Sequence, residues 1–340
     1  MKEILEKLIS GNELSRRQLE VAIEHLFSED ITDSEISAFL IGLKAKGETV
    51  GEIAGLVDGL RANALPFKKV FPNVMDNCGT GGDGLKTFNI SSTSAFVIAA
   101  AGIPVAKHGN RSVSSKTGSA DVLEELGIEL NLPSERLEEI IEEVGIAFLY
   151  APNVHPNIKR IQKVRKDLGI PTVFNLLGPL MNPVDLETQF LGVYRRDLTH
   201  MFAKVLHELG RKRAVVLNGA GSMDEASLQG ENYLVILDNG KITEKTLHPE
   251  EVNLPVYSNK EIVGGYASEN AEILRNVLNG QKGAYLDTVL LNAGIGIFVG
   301  GKANSIEQGI KVAKEMIESG AAIEKLNRLI EASKLKSEVI

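Results

Sequence analysis

The chain has 340 residues, 43% hydrophobic and 24% charged, with a formal net charge of −8. That size supports one large domain and a smaller one around a sizeable core; the acidic balance argues against a broad nucleic-acid surface, which needs a basic face. Apolar runs fall short of the roughly 18 to 20 residues that span a bilayer, the start "MKEILEKLISGNELSRRQL" lacks the apolar core of a signal peptide, and the single cysteine, Cys78, excludes an internal disulfide framework and a cysteine-built zinc site. The expectation is a cytoplasmic protein with no membrane partner.

Apolar spacing predicts four helices at the start, over roughly 2–10, 16–28, 33–46 and 49–63. Ser15, Asp33 and Thr49 suit the caps of the second, third and fourth. No strand pattern precedes residue 70, so residues 1–68 read as a helical domain, and "ALPFKKVFPN" as its exit. Residues 69–340 change to short apolar strands alternating with helices. "IPVAKHG", "IAFLYAP", "ETQFLGVYR" and "KRAVVLNG" read as strands; "SADVLEELG", "PSERLEEIIEEVG" (proline in its first turn), "NIKRIQKVRKDLG" and "LTHMFAKVLHEL" read as helices. This is the pattern of an α/β domain with a mainly parallel central sheet. Asp-Asn-Gly at 238–240 marks a hairpin within 231–247, and the remainder is mostly helical.

Four stretches carry chemistry. "GTGGDG" (79–84) follows a short strand candidate and precedes a helix starting near Asn89. Glycines let successive backbone N–H groups converge on an anion, and the helix start adds free N–H groups and a positive dipole end. Neither the dinucleotide fingerprint nor the P-loop fits the string; alone, it reads equally as a bare tight turn. "AKHGNRSVSSKTGSADVLEELG" (106–127) ends a strand at Lys107, His108 and Arg111, then runs through Ser112, Ser114, Ser115, Thr117 and Ser119. Ligands of open α/β sheets bind at the carboxyl ends of strands, and lysine with hydroxyls is good phosphate chemistry. Two such loops after strands of one sheet point to a shared phosphate site.

"GSMDEAS" (221–227) places Asp224 beside Glu225. By itself such a pair is an ordinary solvated turn, but magnesium takes one or two carboxylates plus substrate phosphates. In "APNVHPNIKRIQKVRKDLG" (151–169), His155 opens a helix, with Arg165 ten residues on, about 15 Å along the axis on the same side. Arginine there suits a carboxylate, against the plainer reading of a solvated basic face. No covalent nucleophile stands out, so catalysis by charge and positioning is expected.

Together these stretches, with "VHPNIKRIQKVRKDLGIPTVFNLLGPLMNP" and "MDEAS" in the same order, resemble the anthranilate phosphoribosyltransferase family over nearly the whole chain. Pyrimidine nucleoside phosphorylases share the fold and a glycine loop, but carry Ser-Thr-Gly-Gly-Val-Gly-Asp there, lack Lys-His-Gly-Asn-Arg and are longer. The resemblance implies transfer of phosphoribose from phosphoribosyl pyrophosphate (PRPP) to the amino group of anthranilate in tryptophan biosynthesis. It implies that Gly79, Gly82, Asp83, Thr87, Asn89, Ile90, Ser91 and Ser92 hold PRPP together with the 107–119 segment (Lys107, His108, Gly109, Asn110, Arg111, Ser112, Val113, Ser114, Ser115 and Ser119). Anthranilate would meet Gly79, Asn110 and Arg165, with His108, His155, Gly178 and Pro179 along its approach. Magnesium would lie near Ser91, Asp224 and Glu225. A homodimer built through the helical domain, which also forms part of the acceptor site, a hinge between the domains, and packing of a segment near 165–185 on the helical domain are further implications. Ser92 stands where threonine is usual; Asn157, Ile158 and Pro171 depart from the family pattern around the acceptor channel. The rival readings are a related phosphoribosyltransferase or nucleoside phosphorylase with another acceptor, and a non-catalytic nucleic-acid-binding relative, which predicts a basic surface and eroded loops.

Overall fold

The computed structural model describes residues 1–111 and 116–334; Ser112, Val113, Ser114 and Ser115 lie outside the described residues. Four helices come first: α1 (Lys2–Ile9), α2 (Arg16–Phe27), α3 (Asp33–Lys46) and α4 (Val50–Ala62). Ser15, Thr32 and Thr49 start the last three with reciprocal capping boxes. The cap of α3 is therefore Thr32 and not Asp33. The reason is the Glu35 carboxylate, which accepts from the Thr32 amide at 3.0 Å while the Thr32 hydroxyl accepts from the Glu35 amide. Asp33, freed from capping, pairs with Arg160 and Lys163 at 3.2 and 2.6 Å.

The α/β part opens with β1 (Met75–Gly79), α5 (Ile90–Ala100), β2 (Val105–Gly109), α6 (Ser119–Glu125), α7 (Ser134–Val144) and β3 (Ile146–Tyr150). Pro133 sits just before α7 as its N-cap residue, one position earlier than the first turn. The segment α8 (Ala151–Val154), α9 (Lys159–Leu168) and α10 (Phe174–Leu177) leads to β4 (Thr188–Gly192), α11 (Thr199–Glu208) and β5 (Arg213–Asn218). A hairpin follows, β6 (Asn232–Asp238) and β7 (Lys241–Leu247). Its Asn239-Gly240 turn has φ of 47° and 86°, the positive pair that a two-residue hairpin needs. Helices α12 (Ala267–Leu278), α13 (Ala284–Val299), α14 (Ile306–Glu318) and α15 (Ala321–Lys334) complete the chain as described. Among the described residues no helix is long and apolar enough to cross a membrane.

The seven strands form one sheet in the order β3-β2-β1-β4-β5-β6-β7, parallel from β3 to β5 and antiparallel in the hairpin. Alternation along the strands divides the core. Phe190, Val215, Leu217 and Leu234 join a cluster with α5, α13 and α15. Leu191, Ala214, Val216 and Val235 face a second cluster that runs through α11 and α9 into the four N-terminal helices. Ile161 and Val164 of α9 and Phe174 of α10 belong to that continuous apolar layer, which seats α9 on α3 and α10 on α4.

One irregularity in the sheet shapes the site. Strand β1 pairs with β4 over all five residues, but with β2 only at Met75↔Val105. Beyond that point side chains occupy the gap. Asp76 Oδ1 accepts from the His108 amide at 3.3 Å, and Lys107 Nζ donates to the Asn77 carbonyl at 3.1 Å. The carboxyl ends of β1 and β2 are thereby spread by polar groups.

Candidate active site

Both glycine-rich and hydroxyl-rich loops leave these spread strand ends. From β1, Gly81, Gly82 and Gly84 take φ of 69°, 89° and 72°, so the loop folds through left-handed backbone that other residues resist. The Gly81 amide donates to Asp224 Oδ2 at 2.6 Å. A Cβ on Gly79 would overlap the Asp224 carboxylate, and one on Gly192 the Asp224 carbonyl. The acidic turn thus packs against the backbone of β1 and β4 at contact distances only glycine allows.

Around this turn the charges converge. Lys107, 3% exposed, donates to Ser91 Oγ at 3.2 Å, and Ser91 in turn hydrogen-bonds Glu225. Burial raises the Glu225 carboxyl to about 7, with Lys107 and Ser91 opposing the shift. Asp224 is raised further, first by burial and then by Glu225 and Asp83 beside it. Asp83 Oδ2 is buried without a hydrogen-bond partner. Burial and mutual repulsion raise the Asp224 and Glu225 carboxyls, and a cation beside them would relieve that cost. Among the described residues no group of three or more His, Cys, Asp or Glu is arranged to hold a metal by itself. That fits magnesium, which takes one or two carboxylates and completes its shell with phosphate oxygens and water.

Helix α5 begins at Asn89, whose side chain makes no cap and instead accepts from Asn270 Nδ2 at 2.9 Å. Ser91 faces the acidic pair, whereas Ile90, Ser92, Thr93 and Ser94 are buried, and the Ser92 and Ser94 hydroxyls lack partners. Thr87 bridges to Val263 across the loop. In the second loop, Gly109 abuts Ser119 Oγ, which donates to the Asn110 carbonyl at 3.2 Å. Arg111 points away from the converging charges: it pairs with Asp121 and Glu124 at 2.9 and 2.8 Å, and its Nε donates to Tyr150.

The opposite wall comes from the segment after β3. His155 opens the helical run as expected: it is the N-cap of a 3-10 turn, Pro156–Ile158, with proline at its first position, and that turn continues directly into α9, which carries Arg165. His155 Nε2 lies 2.8 Å from the Met181 carbonyl, and its ring meets His108 edge-to-face at 5.5 Å. Burial pushes His108 down to about 3, with His155 and Lys107 adding, and His155 down to about 4. Both imidazoles are neutral at neutral pH. Arg165 on α9 is half-buried over the Phe174 ring, 5.5 Å from its centroid, and donates to Asn175 Oδ1 at 3.3 Å. No acidic side chain among the described residues pairs with it, and burial lowers its pKa. Gly178 is exposed with open space beside it, while Pro179 is buried and its carbonyl accepts from Gln189 Nε2 at 2.7 Å. Ile158 is in the core beneath, and Asn157 and Pro171 are exposed.

Spacing along the chain does not single out Asn175, Asn182, Gln189 or Asn270. Each is an ordinary polar residue whose role appears only when the partner is in view. The nearest signal is the "FNLLGPLMNP" string itself.

Comparison with known proteins agrees with this geometry. A family model described as "Glycosyl transferase family, a/b domain" matches residues 71–323, and one described as "Glycosyl transferase family, helical bundle domain" matches residues 2–64. An anthranilate phosphoribosyltransferase from Bacillus cereus (strain AH820) is 56% identical over 333 residues, 98% of both chains. The crystal structure of anthranilate phosphoribosyltransferase from Thermus thermophilus superposes with a TM-score of 0.92 at 38% identity, covering 98% of this chain and 99% of that one. The Saccharomyces cerevisiae enzyme in complex with PRPP and Mg gives a TM-score of 0.88 at 27% identity, over 97% of each chain. A chain that matches both domain models, and that aligns end to end with such relatives at this identity, belongs to the anthranilate phosphoribosyltransferase family of glycosyl transferases.

Proposed function

We propose that this chain transfers the phosphoribosyl group of PRPP to the amino group of anthranilate in tryptophan biosynthesis, releasing pyrophosphate. The observation that carries the reading is the meeting of Lys107, Ser91 and the Asp224-Glu225 turn at the glycine loop, opposite an arginine without a carboxylate partner among the described residues.

In the reaction the bond from ribose C1 to the pyrophosphate oxygen breaks, and its electron pair leaves with pyrophosphate. The amine lone pair forms the new C1–N bond, and the nitrogen then loses one proton to pyrophosphate or water. Glycosyl transfer of this kind passes through an oxocarbenium-like state. The amides around Gly79, Gly82 and Asp83, the start of α5 at Asn89 to Ser92, Thr87, and Lys107, Asn110 and Ser119 of the second loop hold the pyrophosphate and phosphoribosyl groups, while Arg111 serves the loop through Asp121 and Glu124. Lys107, set against Ser91, supplies the positive charge of this cradle. Ser91, Asp224 and Glu225 hold magnesium, which offsets the charge that builds on the leaving group. Arg165 takes the anthranilate carboxylate, and Gly79, Asn110, His108, His155, Gly178 and Pro179 line its approach. The neutral histidines supply a dry, uncharged wall that excludes water from the cation. No general base is needed before attack, since the aromatic amine is already unprotonated. A homodimer through the helical domain, a cytoplasmic location and the absence of a nucleic-acid partner complete the reading.

The test is pyrophosphate release from a mixture of protein, PRPP, magnesium salt and anthranilate. Release that depends on anthranilate supports the reading; release with another amine or base but none with anthranilate overturns the acceptor.

A further inference from the structure

Gln189 and Arg211 touch none of the groups assigned above to PRPP, yet both are buried polar side chains beneath the acceptor wall. Gln189 is the in-register neighbour of Asp76, one on β4 and the other on β1, so their side chains share a face of the sheet. Each grips the same segment. Asp76 Oδ2 accepts from Asn182 Nδ2 at 3.0 Å, and Gln189 Nε2 donates to the Pro179 carbonyl at 2.7 Å. The far side of Gln189 is fixed too, since Arg211 Nε donates to its Oε1 at 3.1 Å.

Arg211 is 2% exposed and has no carboxylate partner among the described residues; its Nη1 donates to the Leu209 carbonyl at 3.0 Å, and its Nη2 has no partner. Burial lowers this guanidinium to about 10, which still leaves it charged at neutral pH. A buried, incompletely paired charge destabilises a fold. Leucine or methionine would fill the same volume without that cost, so packing alone does not account for arginine here. Its evident effect is to set the amide of Gln189: with Oε1 held by a donor, Nε2 has to face Pro179. A glutamine left to itself can present either end.

We propose that Gln189, oriented by Arg211, is a positioning residue for the acceptor: the pair fixes the height of the Gly178-Pro179 turn and so the fit of the carboxylate-bearing aromatic amine, without touching PRPP. The proposal rests on the reading of that turn as part of the acceptor site. A displacement of about 1 Å at a positioned group is enough to change a rate a hundredfold, and the turn is tied to the sheet both through Asn182, to Asp76 and Ala106, and through the Pro179 carbonyl, which takes the short bond from Gln189 and a longer contact from the Cys78 thiol at 3.8 Å.

The informative variant is Gln189→Glu. A carboxylate still accepts from Arg211, now with an opposite charge, but it cannot donate to the Pro179 carbonyl. The expected result is a rise of about tenfold in KM for anthranilate, with KM for PRPP within about twofold of the parent. The thermal midpoint should stay at or above the parent value. Gln189→Met, which removes both contacts at similar volume, should show the same KM split, and Arg211→Lys a smaller rise in the same parameter. Gly178→Leu, placed in open space beside the turn, reads the underlying assumption. If Gly178→Leu raises KM for anthranilate and both Gln189 variants leave it unchanged, the positioning role is overturned while the acceptor site stands. If Gly178→Leu also leaves it unchanged, the turn is not part of the acceptor site, and the proposal falls with it. Equal rises in both KM values, or a loss of kcat alone, would show a merely structural role.

Discussion

The Gly81 amide donates to Asp224 Oδ2 at 2.6 Å across 143 residues of sequence, joining the glycine loop to the acidic turn. Both stretches are marked in the sequence, but nothing in it says that they meet. Together they place a carboxylate under the loop assigned to phosphate, with Asp83 and Glu225 crowding it from two sides. On the proposed function, this one contact joins the phosphate side of the site to its magnesium side.

Asp224→Ala should therefore do two things at once. It removes a carboxylate from the magnesium side and the acceptor of the Gly81 amide from the loop side. The expected outcome is a shift of the magnesium titration of activity to higher concentration, by about tenfold or more, with KM for PRPP rising in parallel. An unchanged magnesium midpoint would remove Asp224 from the metal site.

Arg165→Ala should act on the other substrate. A charge-assisted hydrogen bond contributes about 1.5–3 kcal/mol, equivalent to roughly 10- to 150-fold in binding. The loss should fall on kcat/KM for anthranilate and spare KM for PRPP. Asn175→Leu, which removes the oxygen that accepts from Arg165 Nη2 at 3.3 Å and from the Thr172 amide at 3.0 Å, should give a smaller loss of the same kind. Steady-state kinetics with each substrate varied separately checks both.

Gly192→Ala tests the packing of the turn. The added Cβ would collide with the Asp224 carbonyl, which is backbone and cannot swing aside. Overpacking of this sort costs about 1–3 kcal/mol, and the turn has to lift to relieve it. Reduced thermal stability together with a weaker response to magnesium is expected. A variant that keeps both parental values would mean that the turn is looser than its contacts indicate.

Acid should weaken the fold through the two histidines. His108 is held down to about 3 and His155 to about 4 in the folded chain, chiefly by burial, against 6.5 for a free imidazole. Below pH 6.5 the unfolded chain takes up protons that the folded chain refuses, so stability present above that pH is lost as pH falls toward the folded values. The raised Asp224 and Glu225 carboxyls act in the opposite sense between pH 7 and pH 5, so the check is the difference between proteins: over that range the thermal midpoint of the parent should fall relative to that of His155→Gln. An equal slope in parent and variant would contradict a neutral, buried His155.

Local signals carried most of the elements. Serine and threonine ahead of acidic or amide residues marked the capped starts of α2 and α4, and Asp-Asn-Gly marked the hairpin. Where these readings missed, a competing contact explains it. Asp33 has the chemistry of a cap, but Thr32 with Glu35 satisfies two amides at once and leaves Asp33 to pair with α9. Arg111, grouped with phosphate ligands because of its neighbours, is taken up by Asp121 and Glu124 on the helix that follows.

Sequence alone determined the order of helices and strands, the two glycine- and hydroxyl-rich loops and their anion chemistry, because backbone propensity, periodicity and turn chemistry act over a few residues. The tertiary structure decided which charges meet. Asp224 under Gly81, Lys107 against Ser91 and Glu225, and Gln189 between Arg211 and Pro179 are all set by strand order and by the spread of β1 from β2. Electrostatic and hydrogen-bond energies depend on distance through space and on burial. A chain folded with β1 between β2 and β4 brings together groups that its sequence keeps more than a hundred residues apart.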